Sequence, residues 1–272
     1  MPTLQVNGRR AWYHDGGVPW VPGRPAVVFL HGAGGDHTLW QQQSRALAHG
    51  SPERPGCNVA ALDLPGHGRS EDAPDVAAVA DLADWVAAFL AAAGIERGAL
   101  VGHSLGACIA LELAARQPER VSALALVGAG LQMKVSPELL RDTEENLPAA
   151  VNFITAYGHG KPAHLGHAPT PGNWMLGSSS ALLLACSGAV LHRDFAVCDA
   201  WDGTAAAGRV RCPTLVVAGA GDRMTPPRAG KALAEAVPGA RYELLPAAGH
   251  MIPAEAPRAL LKLLQGFLRA SH

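Results

Sequence analysis

Six short apolar runs recur along the chain, near residues 26–30, 58–62, 98–102, 122–127, 213–218 and 241–245. Each is too short for a helix, and most lack the polar alternation of a half-exposed strand. That combination predicts strands buried on both faces. Between them, apolar residues fall at helical spacing near 38–48, 75–93, 105–116, 228–236 and 254–269. Alternation of the two patterns predicts an α/β fold, a mainly parallel twisted sheet with helices on both faces. Ahead of it, Asn7-Gly8 stands between two short runs, 3–6 and 9–14, and predicts a tight antiparallel hairpin.

Residues 131–207 break this rhythm. They show helical stretches, no strand pattern, and a loop rich in Gly, His and Pro at 158–173. From Pro162 to His192 there is no Asp, Glu, Lys or Arg, although Lys161 and Arg193 border the stretch. Apolar residues there are expected to pack, and in part to face a ligand, with Trp174 and Met175 foremost.

The chain has 272 residues, enough for one α/β domain with an insertion. A net charge of −1 leaves no footprint for nucleic acid or an anionic membrane. The five cysteines are scattered without close pairing, which points to reduced thiols and a cytoplasmic protein. The first residues carry no basic and apolar leader pattern, and the stretch 181–191 is too short to span a bilayer. No oligomeric state is implied.

The chemistry lies at the ends of the predicted strands. Gly102-His103-Ser104-Leu105-Gly106 follows one strand and precedes a helix. Small neighbours there permit a strained turn that lifts the serine hydroxyl clear of the backbone, and the helix directs free N–H groups at the same place. A bare serine hydroxyl is a weak nucleophile and needs a base within reach. His250, past the last strand in Gly249-His250, has the right titration range to accept and return its proton. Asp222, in Gly221-Asp222 after the strand 213–218, can orient that imidazole. The other place for an acid, after 122–127, holds Gly128-Ala129-Gly130; Asp199 and Asp202 are the remaining candidates. His31-Gly32-Ala33-Gly34-Gly35 supplies a tight loop beside the turn. No cofactor is implied, since no phosphate-binding glycine motif follows a strand. His159, His164 and His167 lack metal-ligand spacing, so no metal is expected.

With Asp63-Leu64-Pro65-Gly66-His67-Gly68-Arg69-Ser70, these motifs run in order from residue 26 to the C-terminus, and the chain resembles the α/β-hydrolase fold with a helical cap. The resemblance implies a core of residues 1–130 and 208–272, with 131–207 as the cap. It implies a Ser104–His250–Asp222 triad and an oxyanion hole from the Ala33 and Leu105 amides, with Gly34 the alternative to Ala33. His103 and Met251, adjoining the triad, are expected to touch a small-molecule substrate. The segment 63–70 is expected to fix a turn. The implied activity is hydrolysis of a small, uncharged, largely apolar carboxylic ester through an acyl-enzyme. A carbon–carbon bond hydrolase for ring-cleavage products or an enol-lactonase would use the same machinery. A non-catalytic small-ligand receptor could also keep the fold.

Overall fold

All six apolar runs are strands of one sheet in the computed structural model of the chain, which describes residues 2–51 and 55–270. The expected core limits at 1 and 272 lie outside the described residues. The strands are β1 (Thr3–Val6), β2 (Arg9–His14), β3 (Ala26–Leu30), β4 (Asn58–Leu62), β5 (Gly98–His103), β6 (Val121–Val127), β7 (Thr214–Gly219) and β8 (Arg241–Leu245). Their order is β1-β2-β4-β3-β5-β6-β7-β8. From β4 to β8 every pairing is parallel, while β2 runs antiparallel to both its neighbours. The β1–β2 turn is made by Asn7 (φ 51°) and Gly8 (φ 76°), the positive-φ pair that a two-residue hairpin requires.

The strands read as unbroken apolar runs because both faces are covered. Val28, Leu30, Ala60, Leu62, Leu100, Leu124 and Val216 pack under the helices Val79–Ala92, Leu105–Arg116 and Pro227–Ala236. Val27, Phe29, Val59, Ala61, Val101, Ala125 and Val217 pack on the other side, under Gln41–His49 and Pro257–Ala270. Successive residues point to opposite faces, so each strand feeds two cores. The exposed edge strand β8 is the exception: none of its residues is fully buried, and an Arg241–Glu243 ion pair at 2.6 Å discourages further pairing. One predicted helix starts late. The Asp81 carboxylate accepts the amides of Ala77 and Ala78, which fixes the helix start at Val79 rather than 75.

Between β6 and β7 the chain makes a helical excursion. It comprises Pro137–Glu145, Leu147–Gly158, Lys161–His164, Met175–Ala185, Gly188–Ala200 and Thr204–Ala207. The excursion has its own apolar cluster, built on Leu139, Val151, Leu183, Val190, Leu191 and Phe195. Its two ends are tied together by the Gln132–Asp202 bridge and by the Gly203 amide on the Leu131 carbonyl (2.8 Å). Asp199 and Asp202, the alternative acids, are spent here. Asp199 accepts the Val135 amide, and Asp202 accepts from Thr204 and Gln132. Among the described residues no single helix is long and apolar enough to cross a membrane. The helices Met175–Ala185 and Gly188–Ala200 reach that length and composition only together, and meet at 102°.

Candidate active site

Ser104 sits between β5 and the helix Leu105–Arg116 with φ 51° and ψ −117°. Only Asn7 and Ser104, among the described non-glycine residues, have positive φ, and Ser104 is not in a hairpin turn. Two crossings hold it there. A Cβ at Gly106 would collide with the Leu30 and His31 carbonyl oxygens, and one at Gly102 would collide with the Gly106 carbonyl. Only glycine permits this approach of β3, β5 and the helix. The Ser104 amide is anchored on the Val127 carbonyl at 2.9 Å, and the following helix begins on the Ser104 carbonyl.

His250 and Asp222 come from loops beyond β8 and β7. His250 Nδ1 donates to Asp222 Oδ2 at 2.8 Å, and both residues are buried. The other carboxylate oxygen, Oδ1, accepts the amides of Met224 (2.9 Å) and Thr225 (2.7 Å), so the acid is fixed in its turn. Burial disfavours charge on His250, but the Asp222 charge, the hydrogen bond to it and the more distant Glu255 prevail. Its pKa lies above the ordinary histidine value. His250 Nε2 has no protein partner among the described residues, and the ring lines the same cavity as Ser104. Gly128, at the other acid position, is where a side chain would press on His250 Nδ1, and its φ is 63°.

His103 lines the cavity too, but its bonding is to the His250 backbone rather than toward a ligand. Its Nε2 donates to the His250 carbonyl at 2.9 Å, and the two rings lie 4.8 Å apart. Burial, then the neighbouring His250, push its pKa down to about 3, so the ring is neutral.

In the 31–35 loop the Ala33 and Gly34 amides differ in their partners, and the difference comes from a residue the motifs do not reveal. The Gly34 amide donates to Asp194 Oδ2 at 2.9 Å, and the Gly35 amide to the Gly32 carbonyl. The Ala33 and Leu105 amides have no protein acceptor among the described residues. Asp194, in the helix Gly188–Ala200, also accepts from His67 Nε2 at 2.8 Å. Asp63 and Ser70 fix their turn as expected, Asp63 by accepting the amides of His37 and Arg69 and Ser70 by donating to the Asp63 carbonyl. His67 reaches beyond that turn to the helical excursion.

The cavity over Ser104 measures about 430 Å³ and is walled by Leu39, Leu139, Phe153, Ile154, Leu182 and Phe195. Met251 lines it. Trp174 does not: it precedes the helix Met175–Ala185, faces outward at 73 % exposure, and lies against Gly177. Met175 lines a second cavity of about 600 Å³, which adjoins the first at Leu39, Leu182 and Met251. The charge-free stretch 162–192 therefore does not by itself set the cavity's charge. Lys134, just ahead of the helical excursion, and Arg223, in the loop after β7, line the cavity as well. Lys134 donates to the Asp199 carbonyl, and Arg223 lies over the Tyr157 ring at 4.5 Å.

Residues 25–162 match the family model for the alpha/beta hydrolase fold. The chain is 31% identical over 244 residues to a Klebsiella pneumoniae protein named "Putative carbamate hydrolase RutD", covering 86% of each chain. Among solved structures, the enol-lactonase from Burkholderia xenovorans LB400 superposes with a TM-score of 0.86 at 25% identity, over 98% of this chain and 100% of that one. A thermophilic esterase from Thermogutta terrifontis superposes with a TM-score of 0.84 at 23% identity, over 100% of this chain and 98% of that one, a likeness of fold.

Proposed function

The chain belongs to the α/β hydrolase fold family, and from that premise we propose that it is a serine hydrolase of small carboxylic esters, lactones included. One observation carries this reading. His250 is held by Asp222 at 2.8 Å with its second ring nitrogen uncommitted, in a cavity shared with a serine at φ 51°.

In the proposed reaction His250 Nε2 takes the Ser104 proton as Oγ attacks the substrate carbonyl. The carbonyl oxygen becomes an oxyanion, received by the Ala33 and Leu105 amides at the positive end of the helix. The imidazolium returns its proton to the departing alkoxide and leaves an acyl-serine. Water, deprotonated by the same nitrogen, then releases the acid and restores the hydroxyl. Asp222 keeps the proton on Nδ1 and stabilises the transient cation without taking the proton. The apolar wall favours an apolar acyl group.

A second reading, hydrolysis of a lactone that bears a carboxylate, is favoured by Arg223 in the lining, which has no carboxylate partner among the described residues. The likeness to an enol-lactonase supports it. A panel of neutral aryl esters, an aryl carbamate, a neutral lactone, a carboxylated enol-lactone and a ring-cleavage dienoate separates the readings by kcat/KM. Fluorophosphonate labelling of Ser104 with turnover of an ester or lactone is the expected result. Labelling without turnover of any member would mark a receptor and overturn the hydrolase reading. A preference of about tenfold, or 1.4 kcal/mol, for the carboxylated lactone would select the second reading.

A further inference from the structure

Asp194 joins three parts of the molecule that are distant in sequence. Its Oδ2 atom accepts the Gly34 amide of the 31–35 loop at 2.9 Å and His67 Nε2 of the 63–70 turn at 2.8 Å, while the residue itself rides on the helix Gly188–Ala200. Asp194 and His67 are each 2% exposed, so neither charge is met by bulk water.

The charge state follows from the partners. His67 Nδ1 faces the Pro65 carbonyl at 3.1 Å and Nε2 faces the Asp194 carboxylate. Both partners can only accept, so both nitrogens carry hydrogen and the ring is an imidazolium. The adjacent His31 is the opposite. Its Nε2 accepts the Leu64 amide at 3.0 Å and its Nδ1 donates to the Gly32 carbonyl at 2.8 Å, a pattern that only the neutral ring satisfies. The two rings lie 4.8 Å apart. The groups set around His67 agree. Burial opposes its charge, but the Asp194 carboxylate and, more weakly, Cys186 hold its pKa up at about 10. Burial and the His67 charge press His31 down to about 4.

We propose that Asp194 is a positioning residue for the oxyanion hole: paired with the His67 cation, it draws the Gly34 amide away from the reaction centre and leaves the Ala33 amide as the loop's donor to the substrate oxygen. Arg193 fixes the helix that carries it, through Asp72 at 2.7 Å and the Pro65 carbonyl at 2.9 Å. The helical excursion thus sets the geometry of the oxyanion hole as well as covering the cavity. This inference rests on the serine hydrolase reading, since an oxyanion must form for the hole to matter.

The experiment has two arms. In the first, nitrogen-edited NMR of the imidazole rings in the wild-type protein is expected to show His67 doubly protonated at about pH 8.5 and His31 neutral at about pH 5.5. A neutral His67 at that alkaline pH overturns the ion pair, whether or not the protein is a hydrolase. In the second, Asp194→Asn is assayed with the best substrate and with a trifluoromethyl ketone analogue of it. The ketone adds Ser104 and places an oxyanion in the hole. We expect kcat to fall about tenfold, KM to stay within about twofold, and affinity for the ketone to fall by the same factor as kcat. If Asp194→Asn does not fold, His67→Gln, which keeps a donor toward Asp194 without the charge, takes its place with the same expectation. Unchanged kcat and ketone affinity in a folded variant of an active enzyme overturn the proposal. An inactive wild-type protein would instead refute the hydrolase reading, and the NMR arm would still decide the ion pair.

Discussion

Among the described residues two histidine–carboxylate pairs are buried on both sides, with nearly the same geometry, and they differ in what the second ring nitrogen meets. His250 meets Asp222 at 2.8 Å, and His67 meets Asp194 at 2.8 Å. Each cationic candidate has a second, neutral histidine ring at 4.8 Å, His103 in one case and His31 in the other. The difference is the partner of the remaining nitrogen. In His67 it is the Pro65 carbonyl, which locks the ring in its charged form. In His250 it faces the cavity with no protein partner among the described residues, so the proton can come and go. A carboxylate beside an imidazole therefore does not by itself free the ring to exchange a proton; the unpartnered nitrogen does.

The largest effects should come from the pair with the free nitrogen. Ser104→Ala or His250→Gln is expected to lower kcat on the order of 10³-fold or more with the circular dichroism spectrum unchanged. Asp222→Asn should fall in the same range, because the wrong tautomer would then face Ser104. Retention of half the wild-type rate by any of them would erase the distinction drawn above. For the locked pair the main loss should be in stability. Asp194→Ala strands the His67 cation or forces it to neutralise, at a cost of ~3–5 kcal/mol in chemical denaturation. A loss below about 1 kcal/mol would place this pair with ordinary surface ion pairs.

Titration sharpens the contrast. His67 has a raised folded-state pKa of about 10, so its contribution is fully present below the unfolded value and fades as pH rises toward about 10. His31 and His103 have lowered values, about 4 and about 3, so they destabilise the fold as pH falls below the unfolded value. The melting temperature should therefore drop on both sides of neutrality; His67→Gln should flatten the alkaline slope and, by lifting the His67 charge from His31, ease the acid slope to a lesser degree. Activity should follow a different group: the acid limb of kcat/KM is expected to have its midpoint above about 6.5, because Asp222 raises His250. A limb well below that value would mean that another base acts. The smallest effect is expected at Trp174→Ala, within about twofold in kcat/KM, since the ring is 73 % exposed and lies outside the cavity.

The sheet and the catalytic candidates were legible in the sequence for one physical reason. Strands buried on both faces must be short apolar runs, and the reactive side chains follow directly after them. Ser104, Asp222 and His250 could be placed from their immediate neighbours. Asp194 could not, because its partners His67 and Gly34 are 127 and 160 residues away. The only local hint was an acid and Arg193 at the end of a stretch without charge. Trp174 lies outside the cavity for the converse reason. An aromatic in an apolar segment suggests a wall, but its place ahead of a helix turned it outward. Lys134 and Arg223, which line the cavity, come from the start of the excursion and from the loop after β7, so the composition of 162–192 did not reveal them.

The excursion between β6 and β7 also sets the order in which the machinery can assemble. Ser104 and the 31–35 loop belong to strands β3 and β5, which pair with each other and with β4 and β6 before residue 128. Asp222 and His250 hang on β7 and β8: β7 pairs with β6 only by closing a loop over the whole helical excursion, and β8 then pairs with β7. Closing so long a loop is entropically costly and slow relative to local pairing. A chain emerging from the ribosome would thus present Ser104 in its turn before Asp222 and His250 are in place, and the proposed triad would be complete only once the last strands dock. In refolding experiments, fluorophosphonate reactivity should accordingly appear after most of the secondary structure has formed.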